Sequence, residues 1–230
     1  MKLFIKGTMV LILAAFLGEL AEFFTNMILA RELGEGGMGQ YMTILPLIFL
    51  IMMLASFELP VSLSRLVAEK DASYHQKILR DVLHLTIILT SVLLILVALI
   101  IPNVSIFQDY HPLLKWIVLA MIPLMSFTSV ARGYFMGKHH MGKIAAANLF
   151  RRLVQLLLLA AVYQFFEFER STAVLVAFIT LAASELVVFV YLFHLFLLNY
   201  QNLKRLPNKT VDKMEIRKNL LAISGPTTAL

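Results

Sequence analysis

The sequence predicts an all-α, polytopic transmembrane helix bundle of six spans. Three observations lead there. Of the 230 residues, 60% are hydrophobic and only 15% charged, with a mean hydropathy of +0.84; soluble domains carry roughly 45–50% apolar and about 25% charged residues. The apolar residues fall in six blocks of about 20 to 27 residues, each able to cross a hydrocarbon core of about 30 Å as a helix. The basic residues crowd into alternate connections between those blocks. Strands are excluded because runs such as Leu85 to Ile101 do not alternate polar with apolar, and an open strand leaves its backbone unpaired in lipid. Disorder is excluded, and so is an ordinary soluble enzyme.

The first span lies at about 8–30 and follows Lys2 and Lys6. Those lysines resemble the start of a signal peptide, but the apolar run continues past Glu19 and Glu22 to Ala30 with no small-x-small site, so the segment reads as an uncleaved helix. The glycine-rich stretch from Gly34 to Gly39 reads as the turn into the second span, at about 41–64. It is no phosphate loop, since no Lys-Ser/Thr follows it and no strand precedes it. The remaining spans lie at about 82–101, 113–135, 144–166 and 172–198.

Residues 1–199 thus form the bundle, and 200–219 a basic cytoplasmic linker broken at Pro207 and Asn208. Leu220 to Leu230 reads as the start of an interrupted seventh span. Half a span is too short to cross, so the sequence predicts that the chain continues.

Orientation follows from charge. One set of segments holds 17 of the 20 Lys and Arg residues; the other holds only Arg31, Lys115 and Arg170. Basic residues stay on the cytoplasmic side. Both termini therefore face the cytoplasm, as an even number of spans requires, and the protein sits in the cell membrane. The net charge of +6 reflects this topology and not a nucleic-acid partner, because the basic loops lack interleaved aromatics. Cysteine is absent, and His139-His140 has no evident co-ligands, so no metal or other cofactor is expected.

A charge at the bilayer centre costs at least about 2.5–3.5 kcal/mol on insertion scales, which makes intramembrane ionisable groups functional candidates. Glu19, Glu22 and Asn26 are spaced three and four apart and share one helix face. Two carboxylates that close repel each other, an arrangement suited to carrying a proton or helping to hold a cation during transport. Packing as a polar stripe against a neighbouring helix is the plainer alternative. Glu58 precedes Leu59-Pro60 and marks a candidate hinge at a cavity. Glu185 lies deep in the sixth span. Arg65, Arg151 and Arg152 are candidates for lipid phosphates at the cytoplasmic mouth, with snorkelling and positive-inside anchoring as the plainer readings.

Two stretches carry a family resemblance. One is Ala30-Arg31-Glu32-Leu33-Gly34, then Gly39-Gln40-Tyr41, Leu45-Pro46 and Glu58-Leu59-Pro60-Val61-Ser62-Leu63-Ser64-Arg65. The other is Arg132-Gly133-Tyr134-Phe135-Met136-Gly137. The chain resembles the stage V sporulation protein B branch of the polysaccharide-biosynthesis membrane proteins, in the superfamily of multidrug (MATE) exporters and lipid II flippases. The resemblance implies about twelve to fourteen spans in two six-helix bundles around an alternately opening cavity, of which this chain supplies the first. It also implies that undecaprenyl-linked saccharides cross by that cavity, in cell-wall or spore-cortex assembly. The chain departs from the pattern at Glu19 and Asn26, where relatives place basic residues, and at Arg151 and Gln155, where relatives often show an acidic residue and then an arginine.

The function expected is therefore a lipid-linked oligosaccharide flippase or exporter working by alternating access. A cation-coupled exporter of small organic cations, driven by H+ or Na+, is the first alternative. A non-transporting scaffold or remnant is the second. No nucleophile–base pair points to an enzyme. Apart from the bilayer itself, the partner expected is a second copy or a second half.

Overall fold

The computed structural model describes residues 2–56, 59–104, 107, 110–166 and 168–203. They form α1 (Lys2–Ser56), α2 (Leu59–Glu69), α3 (Ala72–Ile100), a 3-10 turn (Ile101–Asn103), α4 (Leu113–Gly137), α5 (Met141–Phe165) and α6 (Arg170–Leu203). No strand occurs among the described residues. The linker from residue 204 and the apolar tail fall outside them, as does Glu58.

Among the described residues, five helical segments, not the six expected, are long and apolar enough to cross a membrane. The difference lies in the first two spans, which run on as one segment, two helices joined at Gly34. A straight helix of 55 residues would run about 80 Å, over twice the hydrocarbon thickness. It is not straight: Gly34 has φ 62° and ψ −177°, a conformation open to glycine alone. The expected loop at 34–39 shrinks to Gly34, and residues 35–39 are helical. Leu11 near the start of α1 and Ser56 at its end line the same cavity, so the two arms lie side by side.

Two apolar cores stack along the bundle. The first joins Leu29, Ile44 and Ile48 of α1 to Val97 of α3, Ile122 of α4 and Phe178 of α6. The second joins Leu63 of α2 to Leu79 of α3, Tyr134 and Phe135 of α4, and Leu192 of α6. α3, α4 and α6 each pass through both cores. Between them, these helices bury Thr86 and Thr90, Ser126 and Ser129, and Ser184 and Glu185, a polar layer at mid-height. Ser126 Oγ is shared between the carbonyls of Ile122 (3.0 Å) and Ala55 (2.9 Å), the second contact tying α4 to the end of α1, whereas Thr90 Oγ1 has no partner among the described residues.

Candidate transport cavity

A cavity of about 750 Å³ opens at the level of the polar layer, bounded by both arms of α1 and by α4, α5 and α6. On α1 it is lined by Glu19, Glu22, Thr25 and Asn26, a stripe at helical spacing. On α5, Asn148, Arg152 and Gln155 repeat that spacing. Arg132 of α4 and Glu185 of α6 complete the polar lining.

Arg151 and Arg152 sit about 15 Å along α5 from Met141, since the helix begins before the span read from the sequence. Successive helical residues point about 100° apart, so the two side chains diverge. Arg152 reaches α1, with Nη1 2.7 Å from Glu19 Oε1 and Nη2 3.1 Å from Glu22 Oε2. Arg151 reaches α6, with Nε 3.6 Å from Glu185 Oε1. Glu185 lies within electrostatic reach of Arg132 as well.

The two pairings differ in burial. Glu185 is 4% exposed, whereas Glu19 and Glu22 are 71% and 47% exposed. Removing one partner of a buried pair costs about 3–5 kcal/mol, while exposed pairs contribute about 0–1 kcal/mol. The α5–α6 pair is therefore a fixed strut and the α5–α1 pairs are readily exchanged. Glu185 Oε2 and Arg132 Nε are buried without a hydrogen-bond partner among the described residues, so the cavity wall retains unused polar capacity.

The structure thus places Glu19, Glu22, Asn26, Glu185, Arg151 and Arg152 around one cavity. Arg65 is not among the lining residues; it pairs with Glu69 at 2.8 Å on α2, both ends exposed.

The family-model comparison matches residues 4–229 to the description "Polysaccharide biosynthesis protein". This chain belongs to the polysaccharide biosynthesis protein family. Among curated proteins, it is 45% identical over 230 residues to sporulation protein YkvU of Bacillus subtilis (strain 168), covering all of this chain and 52% of that relative. It is 30% identical over 239 residues to stage V sporulation protein B of the same organism, covering 98% of this chain and 45% of the relative. The chain spans about half the length of the curated relatives it matches. No solved structure matches it.

As a family member with five apolar helical segments of spanning length among the described residues, the chain is a multi-pass membrane protein. One of the motifs that carry the family resemblance has a packing role. A Cβ on Gly133 or Gly137 of α4 would collide with the backbone of Pro60 or Ser64 of α2, so the glycines four apart let the two helices touch. Arg132, one residue before this contact, is the cavity residue that sequence reasoning passed over. It was counted among the basic cytoplasmic residues. The signal lay in the motif itself, where a charged residue adjoins a glycine that must be buried.

Proposed function

We propose that the chain forms the first bundle of a membrane flippase that moves the head group of a lipid-linked saccharide precursor across the cell membrane by alternating access. The observation that carries this reading is the charged cluster Glu19–Arg152–Glu22 and Arg151–Glu185 lining a cavity between membrane-crossing helices. Family membership supports it. So do the names of the two relatives, which point to sporulation as the setting. An undecaprenyl-linked saccharide has the required form, a polar head for the cavity and an isoprenoid tail that stays in lipid. The guanidinium groups match its phosphates in fork geometry. Both ends of the segment face the cytoplasm, as the distribution of Lys and Arg supports. A second bundle or a second copy closes the cavity.

The test is deletion of the gene, followed by extraction of lipid-linked saccharides. Accumulation of the precursor, reversed by the wild-type gene but not by a Glu185→Leu/Arg152→Ala variant present at equal level in the membrane, is the expected outcome. Unchanged precursor with loss of resistance to cationic drugs would instead favour the cation-coupled exporter. The excess of two carboxylates over one arginine on the α1 wall is the observation that keeps that second reading.

A further inference from the structure

We propose that Arg152 is an exchangeable latch. Seated on Glu19 and Glu22, it holds the first arm of α1 against α5, and it passes to the phosphate of an anionic lipid head group when one occupies the cavity, releasing that arm. The inference rests on the flippase reading.

Three features of the structure carry it. The outer stretch of the first arm of α1 rests closely on α5 through small residues. Between Thr8 and Thr25 its buried positions are Gly18, Ala21 and Thr25, with Leu11 and Ala14 half-buried, while Met9, Leu13, Phe16, Leu20 and Phe23 are exposed. Such a stripe buries few large apolar side chains, so the arginine bonds are a substantial part of what ties this stretch to α5.

The second feature is a seat built for the arginine. A Cβ at Gly18 would lie 3.1 Å from Arg152 Cδ and 3.3 Å from Nη1. The side chain therefore crosses the α1 backbone where that backbone carries no side chain, and its guanidinium reaches two carboxylates one turn apart.

The third is the contrast between neighbours. Arg151 is committed to a carboxylate buried in the wall. Arg152 is paired with carboxylates exposed to the cavity, which hydrate once it leaves. An entering phosphate offers the planar guanidinium a bidentate partner of equal geometry, and Arg132, lining the same cavity with its Nε unpartnered among the described residues, offers the phosphate a second donor. Exchange then costs little, and its mechanical effect falls on the one arm that the latch retains.

These 230 residues hold no cysteine, and any cysteine elsewhere in the full-length protein is first replaced by serine. A Phe16→Cys/Leu157→Cys pair, both sites exposed in this bundle, is spin-labelled in the full-length protein in phosphatidylcholine nanodiscs. Electron–electron distances are measured alone, with undecaprenyl phosphate, and with inorganic phosphate, and bound lipid is scored on the same samples by native mass spectrometry. Undecaprenyl phosphate is expected to shift the distances longer, and inorganic phosphate is not. The Glu19→Gln/Glu22→Gln variant, changed only at exposed positions, should show the longer distances without lipid. If that variant fails to fold, Arg152→Lys replaces it, and the shift should then need more lipid. Bound lipid with unchanged distances overturns the latch while leaving the flippase reading intact. So does an unaltered response in the variant. An equal shift with inorganic phosphate overturns the lipid as the exchanging ligand. No bound lipid at all overturns the flippase reading and the latch together.

Discussion

Gly133 of α4 rests on Pro60 of α2 so closely that a Cβ there would lie 2.8 Å from the proline Cα and 3.0 Å from its carbonyl oxygen. One helical turn on, a Cβ at Gly137 would meet the Ser64 carbonyl oxygen at 2.6 Å. These obstacles are backbone, which cannot swing aside as a side chain tip does. Gly133→Ala and Gly137→Ala should each destabilise the protein by about 1–3 kcal/mol, the usual cost of overpacking. Thermal unfolding in detergent checks this, with Gly142→Ala as the control. That α5 glycine has nothing within 4 Å of its virtual Cβ, so its variant should unfold at or slightly above the wild-type temperature.

Gly34 tests a different constraint. Its virtual Cβ also meets nothing within 4 Å, yet its φ of 62° and ψ of −177° exclude L side chains. Gly34→Ala should cost about 1–3 kcal/mol through backbone strain alone. Gly39→Ala, equally uncrowded and without positive φ, should be neutral. Equal melting temperatures for the two variants would show that the bend does not depend on the glycine.

The ion pairs should separate by burial. Glu185→Leu leaves Arg151 and Arg132 facing a wall without their carboxylate. It should destabilise by about 3 kcal/mol, the low end for a broken buried pair because Arg151 is 22% exposed. Glu19→Gln should change stability by less than about 1 kcal/mol. Chemical denaturation of the two variants measures the difference, and a double-mutant cycle on Arg151 and Glu185 isolates the pair itself.

Arg65 and Arg152 were grouped by sequence, but the structure separates them. Arg65 and Glu69 form an exposed pair within one helix, 66% and 53% exposed. Arg65→Ala should leave both melting temperature and precursor accumulation near wild type, whereas Arg152→Ala should impair clearance of the precursor with only a small change in stability. Equal functional loss in both would remove the cavity from the account.

Much of the fold was readable because the bilayer is a severe solvent. Only helices and closed barrels satisfy every backbone group across it, and barrel strands alternate polar with apolar, so long unbroken apolar blocks translate directly into helices. The polar stripe of Glu19, Glu22 and Asn26 was readable for the same reason, because a charge in an apolar block is conspicuous. The count of helices was not. Whether Gly34 ends one helix or bends it depends on a single backbone conformation, and composition does not encode that conformation.

By itself, then, the sequence determined the class of protein, the positions of its apolar blocks and the carboxylates within them, each a property of local hydropathy. Only the tertiary structure decided which charges meet. The partners of Arg152 lie more than 120 positions earlier in the chain, and that of Arg151 lies a helix later. Their union depends on how α1, α5 and α6 turn toward one another. Helix rotation has no signature in hydropathy, because lipid accepts an apolar face at any angle.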